Sequence, residues 1–169
     1  GSPIGKSLYE PDFKDTVNEI HELAKKYDCK IFLPVDVVVS KNLIKNAYHK
    51  IVNINDCPSD HMILDIGEKS IELYKSIISS SKTILWNGPL GVFETKPFDK
   101  GTNALAKHTS LITVNKKCVS VAGGGDTVSA LNSINVTADF SYVSSAGGAF
   151  LEWLEGKELP GIKAINLSK

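Results

Sequence analysis

Charge of one sign is missing from this chain. Nineteen Lys+Arg face nineteen Asp+Glu in 169 residues, a formal net charge of zero. That balance argues against a broad basic footprint for nucleic acid or an anionic membrane. A local phosphate site built from backbone N–H groups stays open, because amides add nothing to formal charge. Cysteine is scarce: Cys29, Cys57 and Cys118 are odd in number, widely spaced and contain no C-x-x-C. A disulfide framework or a zinc site is therefore not expected, and buried thiols in a reducing compartment are. No apolar run approaches the ~20 residues of a membrane span. The start Gly1-Ser2-Pro3-Ile4-Gly5 has no basic region leading into an apolar stretch, so no secretory signal is expected. The expectation is a cytoplasmic protein with no membrane or nucleic-acid partner. The Asn-x-Ser/Thr matches at Asn135 and Asn166 are then expected to be unused.

What is present is an ordinary globular mixture, 42% apolar and 22% charged, at a one-domain length. No long repeat, low-complexity tract or Pro/Gly linker divides it. Apolar runs alternate with polar or glycine-rich turns and amphipathic stretches. Helices are expected over 13–27, 68–80, 100–110, from Asp126 or Thr127 to Ser133, and over 147–155. Strands are expected over 30–33, 62–67, 83–86, 117–121 and 140–143, with a weaker apolar run over 51–54. Strands alternating with ~10–15-residue helices predict an α/β fold: a doubly wound parallel sheet in a Rossmann-like three-layer α/β/α arrangement.

In such sheets ligands sit beyond the carboxyl ends of the strands. The glycines and polar groups gather there: Asp36, Gly67, Asn87 to Glu94, Gly123 to Thr127, and Ser144 to Gly148. Gly123-Gly124-Gly125-Asp126-Thr127 is the sharpest of these motifs. Glycines after a strand let backbone approach a ligand, and Asp126 and Thr127 stand where a helix start favours phosphate. A carboxylate there repels bare phosphate and suits a divalent cation, Mg²⁺ preferring one or two carboxylates plus phosphate oxygens and water. A tight turn with an aspartate cap explains the same residues equally well. Asn87-Gly88-Pro89-Leu90-Gly91-Val92-Phe93-Glu94 is a stiff loop whose apolar residues can flank a base, with Glu94 accepting from ribose hydroxyls; an ordinary hydrophobic loop fits it too. Ser144-Ser145-Ala146-Gly147-Gly148 is a second candidate anion cradle, or a serine cap with tight packing.

Other features are weaker. Gly5-Lys6-Ser7 lacks the spacing and the preceding strand of a P-loop. His21, His49, His61 and His108 show no ligand spacing or nucleophile partner and are expected to be surface or packing histidines. Asp36 and Asp65 lie near strand ends, where a helix cap or an ion pair is equally good.

Six segments taken together resemble the phosphoglycerate kinase family. They are Gly5-Lys6-Ser7-Leu8-Tyr9-Glu10, Leu33 to Val39, Leu64-Asp65-Ile66-Gly67, Ile84 to Glu94, Val121 to Thr127, and Gly148-Ala149-Phe150-Leu151-Glu152. They occur in family order along nearly the whole chain. The resemblance implies a two-domain enzyme that passes the acyl phosphate of 1,3-bisphosphoglycerate to ADP, giving ATP and 3-phosphoglycerate in glycolysis. It implies that residues 1–158 are most of the Mg-ADP/ATP-binding domain, lacking its first strands. Residues 159–169 match a segment packed on the other, acid-binding domain. It places Gly124, Gly125, Asp126 and Thr127 on nucleotide phosphates, with Asp126 on Mg²⁺, and Glu94 on ribose. Gly67, Asn87 and Pro89 would line the pocket, and Gly147 and Gly148 would face the transferring phosphoryl. The substrate arginines and catalytic lysine of the family would lie before Gly1. The parent is expected to be a monomer, and this chain to bind nucleotide without turnover. A non-catalytic nucleotide-binding module and a structural fragment are the alternatives. One departure stands out: Ser145-Ala146-Gly147-Gly148 replaces the usual Thr-Gly-Gly-Gly, and Ala146 loses easy access to positive φ.

Overall fold

A computed structural model describes residues 1–144 and 147–167. The element order is α1 (Lys14–Lys26), β1 (Asp36–Ser40), β2 (His49–Asn53), β3 (Met62–Ile66), α2 (Glu68–Ser80), β4 (Thr83–Asn87), α3 (Lys100–Val114), β5 (Val119–Gly123), α4 (Gly125–Ser133), β6 (Tyr142–Ser144), α5 (Gly147–Leu154) and α6 (Pro160–Leu167). The class is α/β, with β4, β5 and β6 forming a parallel sheet in that order. Each crossover between these strands carries a helix, as parallel pairing requires.

The amino half adds a second sheet, β2-β1-β3, in which β1 pairs antiparallel with both neighbours. The connection 41–48 is too short for a crossover of ~12 or more residues, so β2 turns straight back on β1. The strand expected over 30–33 is absent. Ile31, Phe32 and Leu33 are exposed, whereas Val37, Val38 and Val39 are buried in the central strand β1. Three β-branched residues between two partner strands outcompete an apolar run that has no partner strand. The amphipathic stripe of α1 also stays half exposed at Val17, Ile20 and Leu23.

The main core lies under the parallel sheet. Ile66, Trp86, Leu105, Ala122, Leu131 and Phe140 form one buried cluster, with Trp86 and Phe140 meeting edge to face at 6.3 Å. This packing holds β4 and β5 against α3 and α4.

Two helix starts are capped from a distance. Gly67 precedes α2 and has no side chain to cap it. Asp36 supplies the cap instead, accepting from Ser70 N–H at 2.7 Å and Lys69 N–H at 3.1 Å. The Ser70 hydroxyl also donates to it at 2.7 Å. Burial pushes the Asp36 carboxyl up, but these three donors outweigh it and hold the group below the usual carboxylate value. Asp65 does the same for α3, accepting from Gly101 N–H at 2.9 Å and from Ile66 N–H at 2.8 Å. Both aspartates are therefore caps rather than ion-pair partners.

At Asp65 burial wins and lifts the carboxyl to about 6, with Asp99 adding to the rise. An acid whose folded value is raised binds its proton more tightly in the folded chain. Its stabilising contribution is complete below about pH 4 and is lost as pH rises to about 6. Asp65→Asn removes this titration. Between those pH values wild type is expected to lose roughly 2 kcal/mol relative to the variant. Urea midpoints measured across that window check it; parallel curves would contradict it.

Candidate functional site

The register of the parallel sheet sets the site. Asn87 lies opposite Gly123, and Gly123 opposite Ser144, so three strands end in one row at their carboxyl edge. Gly124 follows with φ +100°, a conformation that L side chains rarely adopt. It leads directly into α4, one residue earlier than the sequence predicts. The first-turn N–H groups of α4 have no partner within the helix, and the N-cap residue Gly124 has no side chain to cap them. Nothing lies within 4 Å of where a Cβ on Gly125 would be, so the space before these amides is open.

Asn87 and Thr127 flank this turn. A Cβ on Gly124 would come 3.5 Å from both Asn87 Oδ1 and Thr127 Oγ1. Thr127 is 1% exposed and its hydroxyl is already engaged, accepting from Gly88 N–H at 2.7 Å. Trp86 Nε1–H donates to the Gly88 carbonyl at 2.7 Å. Gly88, at φ +93°, is thus held on both sides. Thr127 offers a ligand its N–H, while its side chain ties β4 to α4. The Gly88–Thr127 link is not visible as a sequence motif, because the two stand 39 positions apart.

Asp126 is exposed on the first turn of α4 and is that turn's acidic residue. The helix dipole favours its negative charge there. No group of three or more metal-ligating side chains occurs among the described residues. A cation on Asp126 would take its remaining positions from water and phosphate, the set that Mg²⁺ accepts and that an open helix start can accommodate.

The remaining candidates are more dispersed. Pro89 is half-buried on the loop just after Gly88. Glu94 is exposed on the wall of a separate cavity of about 450 Å³, beside Leu43, Ile44 and Lys96. Gly67 is buried against protein: a Cβ there would come 2.3 Å from the Asp36 carboxylate. Gly147 and Gly148 open α5, and the space beside Gly148 is clear. Ser145 and Ala146, where the departure from the family motif falls, lie outside the described residues. An apolar groove of about 300 Å³ runs from Phe32 and Tyr74 along β4 to Asn87 and Gly88.

His108 has a hydroxyl neighbour that the sequence does not show. Ser79 Oγ lies 2.7 Å from His108 Nε2, linking α2 to α3 across 29 positions. The pair is exposed, and among the described residues no carboxylate is bonded to its other nitrogen, so it shows a helix–helix contact rather than a triad. No helix among the described residues is long and apolar enough to cross a membrane.

A family model described as phosphoglycerate kinase matches residues 1–157. The chain belongs to the phosphoglycerate kinase family. Phosphoglycerate kinase from Zymomonas mobilis is 53% identical over 165 residues, 98% of this chain and 42% of that protein. The Agrobacterium fabrum phosphoglycerate kinase is 52% identical over all of this chain and 42% of that protein. Among solved structures, phosphoglycerate kinase from Coxiella burnetii superposes with a TM-score of 0.88 at 43% identity, covering 96% of this chain and 41% of that one. That from Pyrococcus horikoshii reaches 0.74 at 28% identity, over 91% of this chain and 37% of that one. The chain thus spans about two fifths of the length of the phosphoglycerate kinases it matches.

Proposed function

We propose that this chain is the nucleotide half of a glycolytic phosphotransferase that moves the acyl phosphate of 1,3-bisphosphoglycerate to ADP, yielding ATP and 3-phosphoglycerate. The observation that carries the reading is the meeting of Asn87, Gly124, Asp126 and Thr127 at one sheet edge, in a chain whose family match runs over residues 1–157.

Phosphoryl transfer of this kind needs positioning and charge stabilisation more than covalent chemistry. The N–H groups of Gly125, Asp126 and Thr127 donate to the nucleotide phosphates, and their dipoles need no reorganisation as charge develops. Asn87 adds a side-chain contact beside them. Asp126 holds Mg²⁺, which when bound neutralises charge on the phosphate oxygens. Pro89 and Gly67 line the nucleoside side, and Glu94 accepts from the ribose hydroxyls. Gly147 and Gly148 present the start of α5 to the transferring phosphoryl. The domain 1–158 carries all of these groups. Residues 159–169 pack on the acid-binding domain, which supplies the 3-phosphoglycerate contacts; the exposed side chains of Ile162 and Ile165 on α6 fit that role.

In this reading the 169-residue chain binds Mg·ADP but does not turn over. A coupled assay separates the two levels. The full-length protein is expected to make ATP from 1,3-bisphosphoglycerate in a metal-dependent manner, and the chain alone to give no signal above blank. Turnover by the isolated chain would refute the half-site account, and inactivity of the full-length protein would refute the kinase reading.

A further inference from the structure

The loop from Gly88 to Asp99 carries Pro89 and Glu94, two of the nucleotide candidates, and has no helix or strand between β4 and α3. Turn bonds from Thr95 N–H to the Val92 carbonyl and from Phe98 N–H to the Thr95 carbonyl shape its far part, and contacts with neighbouring elements set the rest. At the near end Gly88 N–H is held by Thr127. Farther along, Val92 N–H donates to the Leu64 carbonyl at 2.9 Å. Between them, Leu90 N–H donates to Thr102 Oγ1 at 3.0 Å. Thr102 is 1% exposed and sits on the first turn of α3, next to Gly101, whose N–H is fixed by Asp65. The loop leans on that same carboxylate, since a Cβ on Gly91 would come 2.5 Å from Asp65 Oδ1. The start of α3 and the middle of the loop are therefore bonded directly, and both pack against Asp65.

The geometry points to Thr102 as a positioning residue for nucleotide binding: its hydroxyl fixes Leu90 and thereby the placement of the adjoining Pro89 and of the loop that leads to Glu94. Thr102 touches no ligand itself. Its effect comes from holding the near part of the loop in one conformation before the ligand arrives, which lowers the ordering cost of binding. Small misplacements of ligand-holding groups are expensive, so a buried hydroxyl behind the loop controls affinity from a distance. This inference rests on the nucleotide reading above and adds to it the element that tunes the site.

The test uses full-length protein and steady-state kinetics with Mg·ADP varied. Thr102→Val keeps the volume and deletes the acceptor. It is expected to raise KM for Mg·ADP about fivefold, the worth of one lost hydrogen bond, with kcat changed less than about twofold. Thr102→Ala makes the same deletion with no added bulk and is expected to behave alike. Thr102→Ser restores the hydroxyl and is expected to bring KM back to within about twofold of wild type. Ser110→Ala, on the same helix, removes a 2.5 Å bond to Asp139 away from the loop. It is expected to lower the thermal midpoint without moving KM. An unchanged KM in Thr102→Val, or a rise in Ser110→Ala as large, would overturn the inference while leaving the nucleotide reading intact. A wild-type protein with no ADP turnover would remove both.

Discussion

Asp126→Ala is expected to leave the fold intact while lowering kcat/KM of the full-length protein about a hundredfold or more, with the Mg²⁺ dependence of nucleotide affinity abolished. The two halves of this expectation have separate causes. For the fold, Asp126 is an exposed first-turn carboxylate making no capping bond, so its loss forfeits only the dipole contribution, about 0.3–1 kcal/mol. For the chemistry, it is the carboxylate at the open start of α4, and groups aimed at developing phosphoryl charge are typically worth ~10²–10³ in rate. Thermal unfolding and metal-titrated kinetics measure the two halves. Unchanged nucleotide affinity with unchanged metal dependence would return the glycine-rich turn to a purely structural role.

Gly67→Ala is expected to destabilise the chain by about 3 kcal/mol, through packing and capping together. Its Cβ would lie 2.3 Å from Asp36 Cγ and Oδ2, a separation that atoms cannot keep. The carboxylate cannot simply step aside, because Ser70 and Lys69 hold it from three donors. Either α2 shifts off β1 or its cap breaks. Gly125→Ala is the matched control: nothing lies within 4 Å of its added methyl, and stability is expected to change by less than about 1 kcal/mol. Chemical denaturation of both variants checks this. Equal, small losses would show that the Asp36–Gly67 contact carries no structural weight.

These two glycines show what could be read from the sequence and what could not. The helix over 68–80 emerges from the spacing of Ile71, Tyr74 and Ile78, and α2 spans those residues. The parallel order β4-β5-β6 follows from the alternation of strands with helices, and the cluster at Gly124 to Thr127 follows from strand-end glycines. Periodicity reports a residue's local neighbours. It could not reveal that Asp36 caps a helix 34 positions away, or that Gly67 meets that same carboxylate. Nor could it distinguish Ile31-Phe32-Leu33 from Val37-Val38-Val39, because the choice depends on which run finds partner strands. The clamp on Gly88 by Trp86 and Thr127 is likewise a tertiary fact. Glu94 is the candidate farthest from a ready-made role. Motif resemblance puts it on ribose, and the fold leaves it exposed beside Lys96, across a loop that Thr102 holds in place.

The central claim is that nucleotide phosphates meet the carboxyl edge of the parallel sheet at Gly124 to Thr127. Titration of the nitrogen-labelled chain with Mg·ADP, followed by amide NMR, tests it most directly. The account predicts that the largest shifts fall on Gly124, Gly125, Asp126 and Thr127, with Asn87 and Gly88 following. Shifts concentrated instead at the opposite rim, around Lys82, Lys116 and Lys117, would contradict it.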